Sequence, residues 1–350
     1  MQNEIVIVVM AILLFPYLTW GFKNLPAENW QIMAAIPVRK KDDGLWEGIN
    51  FTYYGFFTAN AYVFSVAVYF VLSGSVHSPF LVSFSVCAVI LAVCVPASKI
   101  VARIVEGKQA TFTVGGATFI GIIIAPFLVA LVGFATDYFS GYHLPVIATL
   151  SAITVSYALG EGTGRLACVS FGCCYGKSLK DSSRILKKLF NARYFIFSGK
   201  TKKASYEGKV EDVPVIPIQA ITSIIYVLSG LVGVYLFLKG FYVSSFLESL
   251  IVTQGWRIAS EVFRADYRGR GIFSAYQIMS ALSIPYSIAI IAVIHDTGSA
   301  PPDIFSGLAV LWSPLFIVIL QFLWAFIFIF TGKSMVTGST VNIHVIKDRI

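Results

Sequence analysis

Long apolar runs constrain this chain more than anything else in it. Nine segments, near 4–21, 51–73, 79–98, 114–136, 145–163, 216–238, 243–263, 274–294 and 304–331, reach or nearly reach the roughly 20 residues that a helix needs to cross a bilayer. Almost all the charge lies between them. Only 13% of the 350 residues are charged, 57% are hydrophobic and the mean hydropathy is +0.78. A soluble surface needs about a quarter of its residues charged. Soluble, disordered and secreted disulfide-rich classes are therefore excluded. The expected fold is an all-α, polytopic membrane protein with about nine transmembrane helices. The first segment is read as a retained helix, because Met1 to Glu4 carries no positive side chain and no small-x-small site follows Gly21. The formal charge of +8 calls for no nucleic-acid partner here; it asks which side of the lipid bilayer carries it.

Two connections are long enough to have structure of their own. Residues 22–50 hold Pro26, Pro37 and the run Arg39 to Asp43, and 177–215 carries ten basic residues from Lys177 to Lys209. Within the second, Ser183 to Phe190 alternates basic and apolar positions, as a helix lying on anionic headgroups does; a solvated basic loop fits the same residues.

Charge near lipid is costly, so the few charged residues close to helix ends mark the functional candidates. From Gly160 to Gly176 five glycines and Arg165 are expected to sit at the end of an apolar helix. Glycines admit close approach of a ligand to backbone amides, and a helix terminus beside an arginine suits an anion. Tight helix packing explains the glycines equally but leaves Arg165 without a reason. From Trp256 to Arg268, helical spacing would place Arg257, Glu261 and Arg264 on one stripe, either as a phosphate-gripping guanidinium held by a carboxylate or as a structural ion pair. A third cluster, Thr113 to Gly121, opens a helix with Gly115 and Gly116.

Five cysteines make no disulfide framework. Cys87 and Cys94 lie within an apolar run, while Cys168, Cys173 and Cys174 crowd together without paired Cys-x-x-Cys spacing or a nearby histidine. No metal and no cofactor is expected. His77, His143, His295 and His344 are scattered, and no P-loop, Gly-x-Ser-x-Gly or His-Glu-x-x-His run occurs.

In this order, the clusters resemble the prolipoprotein diacylglyceryl transferase family, membrane enzymes that move the diacylglyceryl group of phosphatidylglycerol onto a lipoprotein cysteine. Gly164-Arg165-Leu166-Ala167-Cys168 through Gly172-Cys173-Cys174-Tyr175-Gly176 is similar to the family signature, in the divergent form with Gly-Cys-Cys-x-Gly. Tyr53-Tyr54-Gly55, Ala102-Arg103, Gly115 to Gly121, Pro217-Ile218-Gln219 and Trp256-Arg257 through Arg264 resemble further family motifs, collinearly over roughly 50–295. The resemblance implies a seven-helix core at 51–295 that carries the basic loop 177–215. An extra helix and loop at 1–50 and an extra helix and tail at 296–350 would flank it.

By that resemblance Arg165, Arg257 and Glu261 are the catalytic residues: the arginines take the departing phosphate, and Glu261 orients Arg257 or accepts a proton. Tyr54, Arg103, Gly115, Gly116, Gly164, Gly176, Gln219 and Arg264 would bind the donor. Cys168 and Cys173 are accessory candidates, with packing thiols the alternative. Where the family has its histidine this chain has Ile120; Cys168, Cys173 and Thr222 replace an asparagine and two glutamates. Those departures keep an anion clamp for the glycerophospholipid donor and weaken the case for a lipoprotein precursor as acceptor.

Two alternatives follow, a phospholipid-modifying transferase with another acceptor and a non-enzymatic phospholipid-binding or transport protein. Sidedness presses on the same point. With nine alternating helices, one face holds 25 of the 26 basic residues and 13 acids, +12, and the other −4. The positive-inside rule places the basic face in the cytoplasm, whereas the resemblance places it outside.

Overall fold

A computed structural model describes residues 2–107, 114–266, 273–294 and 300–350. Thr113, Arg268 and His295 lie outside the described residues. The helices are α1 (Gln2–Asn24), α2 (Tyr53–Ser75), α3 (Phe80–Glu106), α4 (Val114–Ser140), α5 (Val146–Phe171), α6 (Arg184–Phe190), α7 (Lys203–Tyr206), α8 (Ile218–Leu238), α9 (Tyr242–Ser260), α10 (Ala275–Val293), α11 (Ile304–Val310) and α12 (Pro314–Gly332). Seven of them, α1, α2, α3, α4, α8, α10 and α12, are long and apolar enough to cross a membrane. Helices α5 and α9 have comparable length, but they are rich in Ser, Thr and Gly and contain Glu161, Arg165, Glu248 and Arg257. The chain is thus an all-α, multi-pass membrane protein.

Helix α5 is the hub, packed against α2, α8 and α9. Its small residues allow this. Added Cβ atoms at Gly160 and Gly162 would run into Ser65 and Val227, and one at Gly164 would touch Ala61. Between helices in lipid, close backbone approach supplies the van der Waals contact that water cannot drive. The Ser223 hydroxyl donates to the Gly162 carbonyl (2.6 Å) and fastens α8 to α5. Helices α3, α4 and α10 form a second group, while α1 lies on α8 and α5, and α12 on α2. These outer helices bury far less of their length than α2 and α8, so their exposed Leu, Ile and Phe face lipid.

Contacts between helix ends define two poles. At one, Asn3 Nδ2 donates to the Leu238 carbonyl (2.8 Å), Lys239 pairs with Glu4 (2.6 Å) and the Asp303 amide donates to the Ser75 carbonyl (2.8 Å). At the other, the Ser198 amide reaches the Pro26 carbonyl (3.3 Å), Gly176 bridges Arg264, and Gln277 Nε2 donates to the Ile258 carbonyl (3.1 Å). Consecutive long helices therefore run in opposite directions. The second pole also holds a three-stranded antiparallel sheet of β1 (Ile32–Lys40), β2 (Trp46–Thr52) and β5 (Lys333–Val341), in the order β1-β2-β5. A smaller pair, β3 (Phe195–Ile196) with β4 (Pro214–Val215), folds the basic loop back on itself.

Several sequence expectations need correction. The glycine–arginine run is not at a helix end: α5 continues to Phe171, so Gly160, Gly162, Gly164 and Arg165 lie inside it and the glycines serve packing. The last apolar segment is two helices, because Pro314 starts α12 afresh after Ser313. The tail after 331 begins with a strand, Lys333–Val341, which the sequence reading did not anticipate. The amphipathic piece is helical as α6, capped by Ser183 accepting from the Leu186 amide (3.4 Å), with Ile185 and Leu189 exposed.

Candidate active site

Glu161, on α5, is the point on which the charged residues converge. Its side chain is 4% exposed and pairs with Arg165 one turn along the same helix and with Arg257 on α9. Arg257 Nη2 donates to both carboxylate oxygens (3.1 and 3.2 Å) and to the Tyr157 hydroxyl (2.8 Å). That hydroxyl in turn donates to Glu161 Oε2 (2.6 Å). The two arginine side chains are 12% and 10% exposed, and the Nε of each is buried without a hydrogen-bond partner among the described residues. Two cations and one anion leave a net charge of +1 in an apolar setting, with donors to spare. Glu161 is ten residues from the end of α5, about 15 Å at the rise of a helix.

Gly115, at the start of α4, completes the enclosure. A Cβ there would collide with the Tyr276 ring and with Arg257 Nη1, so only glycine lets that guanidinium lie against the helix. Gly116 is buried beside it.

Glu261 does not orient Arg257. Helix α9 ends at Ser260, residues 261–263 form a single 3-10 turn, and Arg264 is extended at φ −81°, so the expected stripe of three charges is broken. Glu261 stands 4.0 Å from Arg264 instead. Arg264 is held bidentately by Asp266 (2.9 and 2.7 Å), and its backbone bridges Gly176. An added Cβ at Gly176 would meet the Ile216 carbonyl, so this glycine serves a close backbone crossing. Arg103 is exposed near the end of α3, with no hydrogen bond or ion pair to the cluster among the described residues.

The remaining expected residues gather at the end of α5. Gly172 caps the helix in the left-handed conformation at φ 70°, and Cys174 shares that region at φ 56°, where a non-glycine residue is uncommon. The turn carries Cys173 and Cys174 back over Cys168, and the three sulfurs lie within 4.8 Å of one another. No disulfide joins them. Gln219 Nε2 donates to the Cys173 carbonyl (2.9 Å), while its buried Oε1 has no partner among the described residues. The Tyr54 ring packs edge-on against Phe171, centroids 5.7 Å apart. Thr222 accepts from Trp256 Nε1 (2.9 Å), tying α8 to α9.

The basic loop is locked to this pole by a lysine. Lys202 is fully buried and donates to the carbonyls of Ser170 (2.7 Å) and Leu25 (3.0 Å), joining the ends of α5 and α1. Burial pushes its ammonium down to about 7, although Glu28 acts in the opposite sense.

A buried two-arginine cradle, a cysteine turn and the glycine pair thus share one end of a helical membrane bundle. The family model for prolipoprotein diacylglyceryl transferase matches residues 45–294. The chain belongs to that family. Its members are membrane transferases, and the matched span runs from β2 to the end of α10, taking in every element that contributes to the charged cluster. No curated protein gives a significant match. Helices α1, α11 and α12 lie outside the matched span.

Sequence reasoning missed Glu161 and Tyr157 as members of the cluster. The signal was present for Glu161, since a glutamate four residues before Arg165 is the spacing that pairs side chains on a helix. Tyr157 stands four residues before Glu161 and is legible by the same spacing; only its contact with Arg257, supplied by another helix, is not.

Proposed function

We propose that this diacylglyceryl transferase family member takes its diacylglyceryl group from phosphatidylglycerol or a similar anionic glycerophospholipid. The observation that carries the reading is the pair of largely buried guanidiniums sharing one carboxylate while keeping unpartnered Nε donors. A phosphodiester brings one negative charge to a cluster of net +1. As the glyceryl C–O bond breaks, a second negative charge grows on the departing glycerol phosphate. Fixed cations then bind the transition state more tightly than the ground state, the condition for catalysis. Arg165 and Arg257 act there as catalytic residues. Glu161 is a positioning residue that holds both in register, with the proton-accepting role expected of Glu261 left to groups nearer the acceptor. Gly115 lets Arg257 lie where it meets the phosphate, with Gly116 buried beside it, and Gln219 and Tyr54 line the headgroup side. All nine long helices cross the inner membrane, with α1 and α12 additions around a seven-helix core.

The family acceptor is the lipobox cysteine of a prolipoprotein, and this is the first reading of the acceptor. The test is transfer from labelled phosphatidylglycerol to a lipobox peptide by the purified protein, abolished by Arg165→Ala or Arg257→Ala. Absence of a lipidated peptide where another family member yields one overturns it. The basic face and the side chains Ile120, Cys173 and Thr222 favour a second reading, a different acceptor on the cytoplasmic side. Labelling a cysteine placed at exposed Lys200 from one side of the membrane separates the two: cytoplasmic reactivity excludes a prolipoprotein, and external reactivity restores it.

A further inference from the structure

We infer that Cys168, Cys173 and Cys174 form a three-thiolate site for zinc, whose fourth position receives the thiol of the acceptor. This rests on the transferase reading above and names how its nucleophile is made.

Three observations carry it. The sulfurs already lie within 4.8 Å of one another, whereas a tetrahedral shell with Zn–S near 2.3 Å needs separations of roughly 3.8 Å, a change within reach of small side-chain rotations. The backbone is bent for this convergence. Gly172 and then Cys174 both take positive φ, and a left-handed cysteine is costly where it serves no purpose. The site is also electrically matched. Three thiolates around one divalent ion carry −1, and Arg165, Arg264 and Lys203 all lie close enough for their charges to act on the cysteines. Among the described residues, no histidine, aspartate or glutamate joins the three sulfurs to close the shell. Three protein ligands with an open fourth position is the pattern of a catalytic zinc, and four is that of a structural one.

The chemistry balances without any redox partner. The acceptor thiol binds the metal and releases its proton to water, since a bound thiol is deprotonated. The thiolate sulfur attacks the terminal glyceryl carbon of the donor, forming the S–C bond. The C–O bond breaks, and its electron pair leaves on the phosphate oxygen of glycerol phosphate, held by Arg165 and Arg257. A thiol acceptor is thereby favoured over a hydroxyl, because three soft sulfur ligands select a fourth of the same kind.

Cobalt is the probe, because tetrahedral thiolate-bound Co2+ absorbs visible light. The full-length protein, purified in detergent and stripped with chelator under reducing conditions, is titrated with Co2+ and then with Zn2+. The expected result is one Co2+ per chain with sulfur-to-metal charge-transfer bands, displaced by Zn2+. The bands should vanish in Cys168→Ser and Cys173→Ser and persist in Cys87→Ser and Cys94→Ser, with all variants unfolding at wild-type temperature. A spectrum without thiolate bands, or one unchanged by Cys168→Ser, overturns the site. So does a disulfide between two of the three cysteines in the purified protein. If the stripped protein transfers diacylglyceryl at full rate, zinc activation is refuted while the transferase reading stands. If cobalt binds as expected but no diacylglyceryl moves, the site stands and the transferase reading falls.

Discussion

Replacing Glu161 by Gln removes one negative charge and almost no volume from between two guanidiniums. At an effective dielectric of about 20, unit charges 4 Å apart attract by about 4 kcal/mol. Glu161 holds two such partners, Arg257 at 3.1 Å and Arg165 in direct contact. The full sum is not lost, because the amide still hydrogen-bonds and no longer pays for carboxylate desolvation. Breaking buried ion pairs costs about 3–5 kcal/mol, and that is the expected loss. Reversible unfolding in mixed micelles of mild detergent and dodecyl sulfate reads it directly. The variant also has a signature that a merely structural ion pair lacks. Its cluster carries +2 with no internal counterion, so a bound phosphate replaces the missing carboxylate. Phosphatidylglycerol in the micelle should therefore restore more stability to Glu161→Gln than to wild type, and phosphatidylcholine, whose choline cancels the charge, should not. A variant as stable as wild type, or equal rescue by the two lipids, refutes the reasoning.

Gly115→Ala should leave the protein folded but displace Arg257, reducing transfer at least about 10-fold, as expected when a hydrogen bond to a charged group worth about 1.5–3 kcal/mol is misplaced; an unchanged rate rejects the close-approach role. Gly55→Val should loosen α12 from α2, because any side chain there collides with the Gly332 backbone; protease accessibility of the tail measures it. The buried Lys202 sets a pH dependence whose sign follows from its lowered value. Between about 7 and its ordinary 10.5 the unfolded chain holds the proton that the folded chain has lost, so stability rises with pH across that window, by at most about 1.4 kcal/mol per unit. Unfolding midpoints at several pH values should show this slope in wild type, and Lys202→Met should flatten it.

Periodicity and apolar run length exposed the membrane bundle, because a spanning helix must announce itself in some 20 consecutive residues. They misjudged its ends. Helix α5 continues eight residues past its expected limit at 163, since burial against α2, α8 and α9 sustains a helix through glycines and charges that look like a terminus in isolation. Strand β5 was illegible because its partner β2 lies near the other end of the chain. At the site, Arg165, Arg257, Gly115 and Gln219 were named from motifs and do meet at one pole. The partner of Arg257 was misassigned because ideal spacing was carried through Glu261, where the helix gives way to a 3-10 turn. The convergence of three cysteines was hidden for a related reason. Sequence spacing records helical or extended geometry, and the left-handed residues at 172 and 174 obey neither.

The sheet at the basic pole has a consequence for biogenesis. Strand β2 leads directly into α2, and its outer partner β5 emerges only after α12. While the protein is being threaded into the bilayer, the β2 edge of the β1–β2 hairpin therefore waits bare, a template open to any passing strand. Strand β5 covers that edge only after α12 has been made, so it works as a clasp that fastens the segment before α2 to the segment after α12.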